Sequence, residues 1–160
     1  MALPSIADMI TAEWATTEAK LAESTDFTFS TIKDNAVERA KVELYGSLPV
    51  PAVETDIPEI ARIWIADKSL QNLVPLGIDF YMQQTQTTTK RDTTYTIPDR
   101  IRALQDLLDR IGHRLAANET AALDAISAVT DKQDEDPVVS VAGIGIDPVA
   151  RAMRRGPVPW

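Results

Sequence analysis

Residues 56–84 read DIPEIARIWIADKSLQNLVPLGIDFYMQQ, and this stretch decides the fold class. It opens with Asp56 as a helix cap, Pro58 in the first turn and Glu59 as a reciprocal acid. Proline is tolerated there because the first amides of a helix have no partner inside it. From Ile57 onward apolar residues surround the axis: Ile60, Ile63, Trp64, Ile65, Leu70, Leu73, Val74, Leu76, Ile78, Phe80, Tyr81 and Met82. A helix that is apolar all round is buried on most sides. A helix over 57–84 is therefore expected to be the spine of a bundle, with Pro75 removing one backbone hydrogen bond and kinking or dividing it.

Upstream, the pattern predicts two amphipathic helices that pack on this spine. The first opens at Ser5, with Asp8 three residues on as an acidic variant of the capping box. It places Ile6, Met9, Ile10, Trp14 and Leu21 on or near one face through about Ser24, before a break at Thr25-Asp26. The second runs from about Ser30 to Tyr45, with Ile32, Ala36, Val37, Ala40 and Leu44 inward. Gly46 ends it, as a residue free to take positive φ would. Residues 47–55 hold Pro49 and Pro51 and read as an extended connector.

Downstream, residues 83–96 carry threonine at 85, 87, 88, 89, 93, 94 and 96, with Lys90, Arg91 and Asp92 at the middle. Threonine favours extended structure, and a projecting hairpin or long loop fits. Thr96-Ile97-Pro98-Asp99 repeats the capping logic of the spine and starts a fourth helix with a stripe of Ile101, Leu104, Leu108, Ile111 and Leu115. Asn118 is expected to cap a short fifth helix containing Leu123, Ile126 and Val129. Residues 131–137, DKQDEDP, then form a charged linker. The run VVSVAGIGI over 138–146 is β-prone, and Asp147-Pro148 starts about two turns of helix bearing Arg151, Arg154 and Arg155. Gly156 stops it, and Pro157-Val158-Pro159-Trp160 follows. The expected fold is mainly α: a bundle of four to five helices over 1–130 with a Thr-rich hairpin or loop, and a linker and extended C-terminal arm over 131–160.

Composition narrows the function. A chain of 160 residues is about one domain. The net charge of −8 disfavours gripping nucleic acid through a broad basic face. An acidic wall can still lie beside a duplex, because it repels phosphate and lets the duplex slide past. The absence of cysteine removes disulfides, thiolate metal sites and cysteine nucleophiles together. No apolar run approaches the roughly 18 residues of a membrane span, and the start, MALPS, lacks the regions of a signal peptide. A protein made and kept, or assembled, in a cytoplasm-like compartment is expected.

Each candidate site meets a simpler explanation. His113 follows Asp109 by four residues and could share a helix face with it, but one such pair supplies too few metal ligands. The acidic pairs Glu38/Glu43 and Asp106/Asp109 fall on expected exposed faces. Gly143-Ile144-Gly145-Ile146-Asp147-Pro148 superficially matches a dinucleotide loop. Proline stands where a third glycine belongs, however, and too little chain follows for a βαβ unit. No catalytic, cofactor or metal site is expected, and no enzyme.

The C-terminal arm is the best candidate for interaction. Val138, Val139 and Val141, with Ile144 and Ile146, can add a strand to a neighbour's sheet edge. Arg151, Arg154 and Arg155 can pair with carboxylates of a neighbouring subunit or contact nucleic acid, and three charges on an acidic chain favour the first. Trp160, behind a Pro-Val-Pro stiffener, has the form of an anchor for a partner pocket. The alternative is a disordered tail with an incidental tryptophan.

Several pieces together resemble the head–tail connector (adaptor) proteins of tailed bacteriophages. They are Val42-Glu43-Leu44-Tyr45-Gly46, the proline-containing connector to Asp56-Ile57-Pro58-Glu59, the spine with Ile78-Asp79-Phe80-Tyr81, and the polar excursion to Tyr95-Thr96-Ile97-Pro98-Asp99-Arg100. The likeness covers about residues 30–115. It implies a structural protein of the virion neck, assembled in the host cytoplasm as a ring, typically of twelve. The ring would sit beneath the portal protein, with a stopper or tail-completion protein opposite and DNA passing through the channel. Residues 138–160 would then be the portal-binding arm, and the excursion with Lys90, Arg91 and Asp92 would face a neighbour, the channel or the next ring. Alternatives are another neck or tail-completion component, or a cytoplasmic helical regulator whose arm binds one protein.

Overall fold

A computed structural model of the chain describes residues 3–24, 26–87 and 97–142. The protein is mainly helical, with no strand among the described residues. Helix α1 spans Ile6–Ala22, α2 Phe29–Tyr45, α3 Glu59–Thr87 and α4 Ile97–Ala142, and a 3-10 turn at Glu54–Asp56 precedes α3. The expected helix signals at Ser5 and Gly46 operate, whereas Asp56 lies in the 3-10 turn and Pro58 stands just before α3 and not in its first turn. Ser5 Oγ accepts from the Asp8 amide at 3.1 Å, and the Ile6 amide donates to Glu54 Oε1 at 2.7 Å. Two amides of the first turn of α1 thus gain partners, one of them 48 residues away. Gly46 takes φ 57°, and its amide closes on Val42 O at 2.9 Å.

Helix α3 is the spine. It packs against both α1 and α2, and Ala61, Trp64, Ile65, Ala66, Leu70, Leu73 and Val74 are all buried. Pro75 lies inside α3 without dividing it. Against the spine, α1 buries Ile6, Ile10, Trp14 and Leu21, while α4 buries Leu104, Leu107, Ile111, Leu115, Ala122 and Ile126. Trp14 stacks on Phe27 (ring centroids 5.9 Å apart) and on Phe29 (5.2 Å). Phe80 meets Phe27 and Tyr81 edge-on. Burying a side chain of this size contributes roughly 1.5–3 kcal/mol. An exposed ion pair such as Lys41–Glu38 contributes about 0–1 kcal/mol. Apolar packing therefore holds the bundle together.

Gly77 sets how closely the helices pack. A Cβ there would fall 2.9 Å from Trp14 Cη2, 3.0 Å from Leu21 Cδ2 and 3.5 Å from Leu104 Cδ1. The hydrogen at this position lets α1 and α4 both lie on α3.

The structure departs from the sequence pattern at four places. Asn118 caps no fifth helix, because α4 runs unbroken from Ile97 to Ala142. The apolar spacing of three and four continues through Leu115, Ala122 and Ile126, so extending the helix costs less than nucleating another. Residues 131–137 are helical rather than a linker. Val138, Val139 and Val141 lie on helical backbone and not in a strand. A lone strand needs a partner, and the described residues offer none. Finally, α3 continues to Thr87, so residues 83–87 belong to the spine and not to a hairpin.

By their contacts the residues group into two units, Met1–Ile126 and Ser127–Trp160. The second contains the last part of α4, residues 127–142. Lys90, Arg91 and Asp92 lie outside the described residues, as do Ile144, Ile146, Arg151, Arg154, Arg155 and Trp160.

Candidate functional site

Two charged clusters sit between the helices of the first unit. The first forms where α1 breaks its own geometry. Thr16 Oγ1 and Thr17 Oγ1 both donate to Glu13 O, at 2.7 and 3.2 Å, a back-bonding pattern that bends helices. The next residue, Glu18, leaves helical conformation at φ −150°, ψ 61°. Its side chain is 6% exposed and pairs with Arg100 Nη1 at 3.0 Å. The same Nη1 donates to Tyr81 Oη at 2.9 Å, and the guanidinium lies 5.6 Å from the Tyr81 ring centroid. Burial, followed by the bond from its hydroxyl to Glu18, pushes the Tyr81 phenol well above its ordinary value. This cluster joins α1, α3 and the first turn of α4, and all of its members are turned inward.

The second cluster opens to the surface. Arg114 of α4 donates through Nη2 to Asp67 Oδ1 of α3 at 2.6 Å and approaches Glu13 Oε1 of α1 at 3.6 Å. Asp67 is buried, and its Oδ2 has no hydrogen-bond partner among the described residues. Burial raises its pKa, and the nearby Glu13 charge adds to this. The charge and hydrogen bond of Arg114 oppose the rise without cancelling it. These residues border a groove of about 510 Å³ between α1 and α3, whose apolar wall includes Met9, Ala12 and Ile63.

A second groove lies between α2 and α3, with Val42 (62% exposed) and Leu76 at its surface. Its acids are matched: Glu38 pairs with Lys41 and Glu43 with Lys68, each at 2.8 Å.

The acidic pairs singled out in the sequence have ordinary surroundings. Glu38 and Glu43 are in those surface ion pairs, and His113, Asp106 and Asp109 are exposed. No group of three His, Asp or Glu among the described residues could hold a metal ion. No described helix is long and apolar enough to cross a membrane.

Sequence reasoning missed Glu18 and Asp67. A signal for both was present. Glu18 lies four residues after Trp14 and three before Leu21, on the stripe that α1 buries. Asp67 likewise interrupts an apolar run between Ile63 and Leu70. An acid on a buried stripe calls for a cation on the facing helix, and Arg100 and Arg114 supply it.

No family model, curated protein or solved structure matches the chain.

Proposed function

We propose that this protein is a structural head-to-tail adaptor of a tailed phage: a ring of copies that docks to the portal through its C-terminal segment and lines the DNA channel. The observation that carries the proposal is the resemblance of residues 30–115, from the Val42–Gly46 helix end through the spine to Tyr95–Arg100. A mainly helical body suits it. The net charge of −8 suits a channel that must not retain DNA. The inward cluster is consistent with a scaffolding role, since Arg100 ties α4 to Glu18 of α1 and Tyr81 of α3.

The C-terminal segment after Ala142 is the part assigned to docking. Deleting residues 143–160 leaves every described helix whole, which makes it a cleaner cut than one inside α4. In an assembly assay with portal-bearing heads that lack the adaptor, the intact chain should join heads to tails. The shortened chain should keep its helical circular dichroism and fail to join them. Unimpaired joining by the shortened chain would refute the assignment.

A further inference from the structure

The groove between α1 and α3 is lined by three carboxylates, Asp8, Glu13 and Asp67, and by one cation, Arg114, leaving a local balance of −2. The α2–α3 groove differs, because lysines pair with its two acids. In the first groove, one carboxylate oxygen of a side chain only 7% exposed lacks a hydrogen-bond partner among the described residues. A buried acceptor in that state favours a ligand that brings N–H donors and positive charge. The apolar wall of Met9, Ala12 and Ile63 suits the methylene stem of a long cationic side chain.

Such side chains occur in this same chain. The segment 143–160 carries three arginines against one acid, Asp147, a balance of +2. Arg151 is the ninth residue after Ala142, a reach of at most about 30 Å at 3.3–3.6 Å per residue.

We propose that the α1–α3 groove receives the arginine-bearing C-terminal segment of a second copy, with a guanidinium from Arg151, Arg154 or Arg155 seated among Asp8, Glu13 and Asp67. Arg114, whose side chain is 42% exposed, borders the same carboxylates, so the incoming group would share them with it or displace it. The inference rests on the reading of the chain as a ring-former and adds a latch between neighbours. In this arrangement the arginines hold the adjacent subunit and Trp160 is left for the portal.

The test uses a labelled peptide of residues 143–160 and a full-length acceptor carrying Arg151→Glu, Arg154→Glu and Arg155→Glu, so that its own segment does not compete. Fluorescence anisotropy should show saturable binding. Asp8→Asn with Glu13→Gln in the acceptor should weaken it by about tenfold or more, as expected for loss of close charge pairs. Ala12→Arg, at an exposed position of α1, should abolish binding by filling and neutralising the groove. Val42→Lys in the other groove should leave it unchanged. In sedimentation, the wild-type chain should self-associate with rising concentration and the triple arginine variant should not.

No binding, equal binding to the Ala12→Arg acceptor, or a wild-type chain that stays monomeric while the peptide binds would each overturn the proposal. The connector reading fails separately. A chain that shows the latch but never joins the portal would remove that reading alone. A chain that joins portal rings with Ala12→Arg in place would remove the latch alone.

Discussion

Gly77→Ala isolates the closest approach in the bundle. Two effects oppose each other. Replacing a glycine inside a helix by alanine stabilises by about 1 kcal/mol, because the unfolded chain loses freedom. The added methyl would lie 2.9 Å from Trp14 Cη2 and 3.0 Å from Leu21 Cδ2. Neither neighbour gives way easily, since Trp14 is stacked on Phe27 and Phe29 and both Trp14 and Leu21 are buried. Overpacking of this kind costs about 1–3 kcal/mol. The net expectation is a loss of about 1 kcal/mol. Gly112 of α4 is the internal control, because a Cβ there meets nothing within 4 Å. Gly112→Ala should therefore gain up to about 1 kcal/mol. Urea unfolding followed by near-ultraviolet circular dichroism of the buried tryptophans should move the two midpoints in opposite directions at unchanged slope. If both variants are stabilised alike, the close approach at Gly77 is wrong.

Four further outcomes follow from the polar clusters and the turn. Arg100→Met leaves the Glu18 carboxylate buried beside no cation and should cost about 3–5 kcal/mol in thermal or urea unfolding. Tyr81→Phe removes one acceptor from Arg100 and should cost about 1 kcal/mol at neutral pH. Because the folded phenol titrates above its ordinary value, the wild type should also lose stability as pH rises past about 10, and the variant should lose less. Asp67 also binds its proton more tightly when folded, so its contribution is greatest at low pH and declines as pH rises through the carboxylate range. The stability of wild type relative to Asp67→Asn should therefore fall between acid and neutral pH, and a rise would contradict the burial of that carboxylate. Gly46→Ala, at φ 57°, should destabilise by about 1 kcal/mol without changing helix content.

Local chemistry made most of the bundle legible. Ser5 at the start of α1 and Gly46 after α2 act through hydrogen bonds and backbone limits that neighbouring residues alone determine. The all-round apolar pattern of residues 57–84 identified the spine for the same reason. What failed was the weighing of local preference against continuity. Asn118 has the chemistry of a cap, and Val138–Val141 that of a strand, yet an established helix extends more cheaply than a new element starts. The buried acids were harder to read. Glu18 and Asp67 acquire their meaning from arginines 82 and 47 residues away. Only the facing of helices brings those partners together, and spacing within one helix does not predict it. The groove they border was invisible for that reason, whereas the arginines proposed to fill it stood out in the composition of the C-terminal segment.

Under the proposed function, copies of this chain assemble on a portal through residues 143–160. Native mass measurement of the chain mixed with isolated portal rings of a tailed phage tests this proposal most directly. Many copies, near one per portal subunit, should join the ring, and the chain shortened at Ala142 should remain unbound at the same concentration. A portal ring that keeps its own mass beside the intact chain, or one that binds the shortened chain equally well, would contradict it.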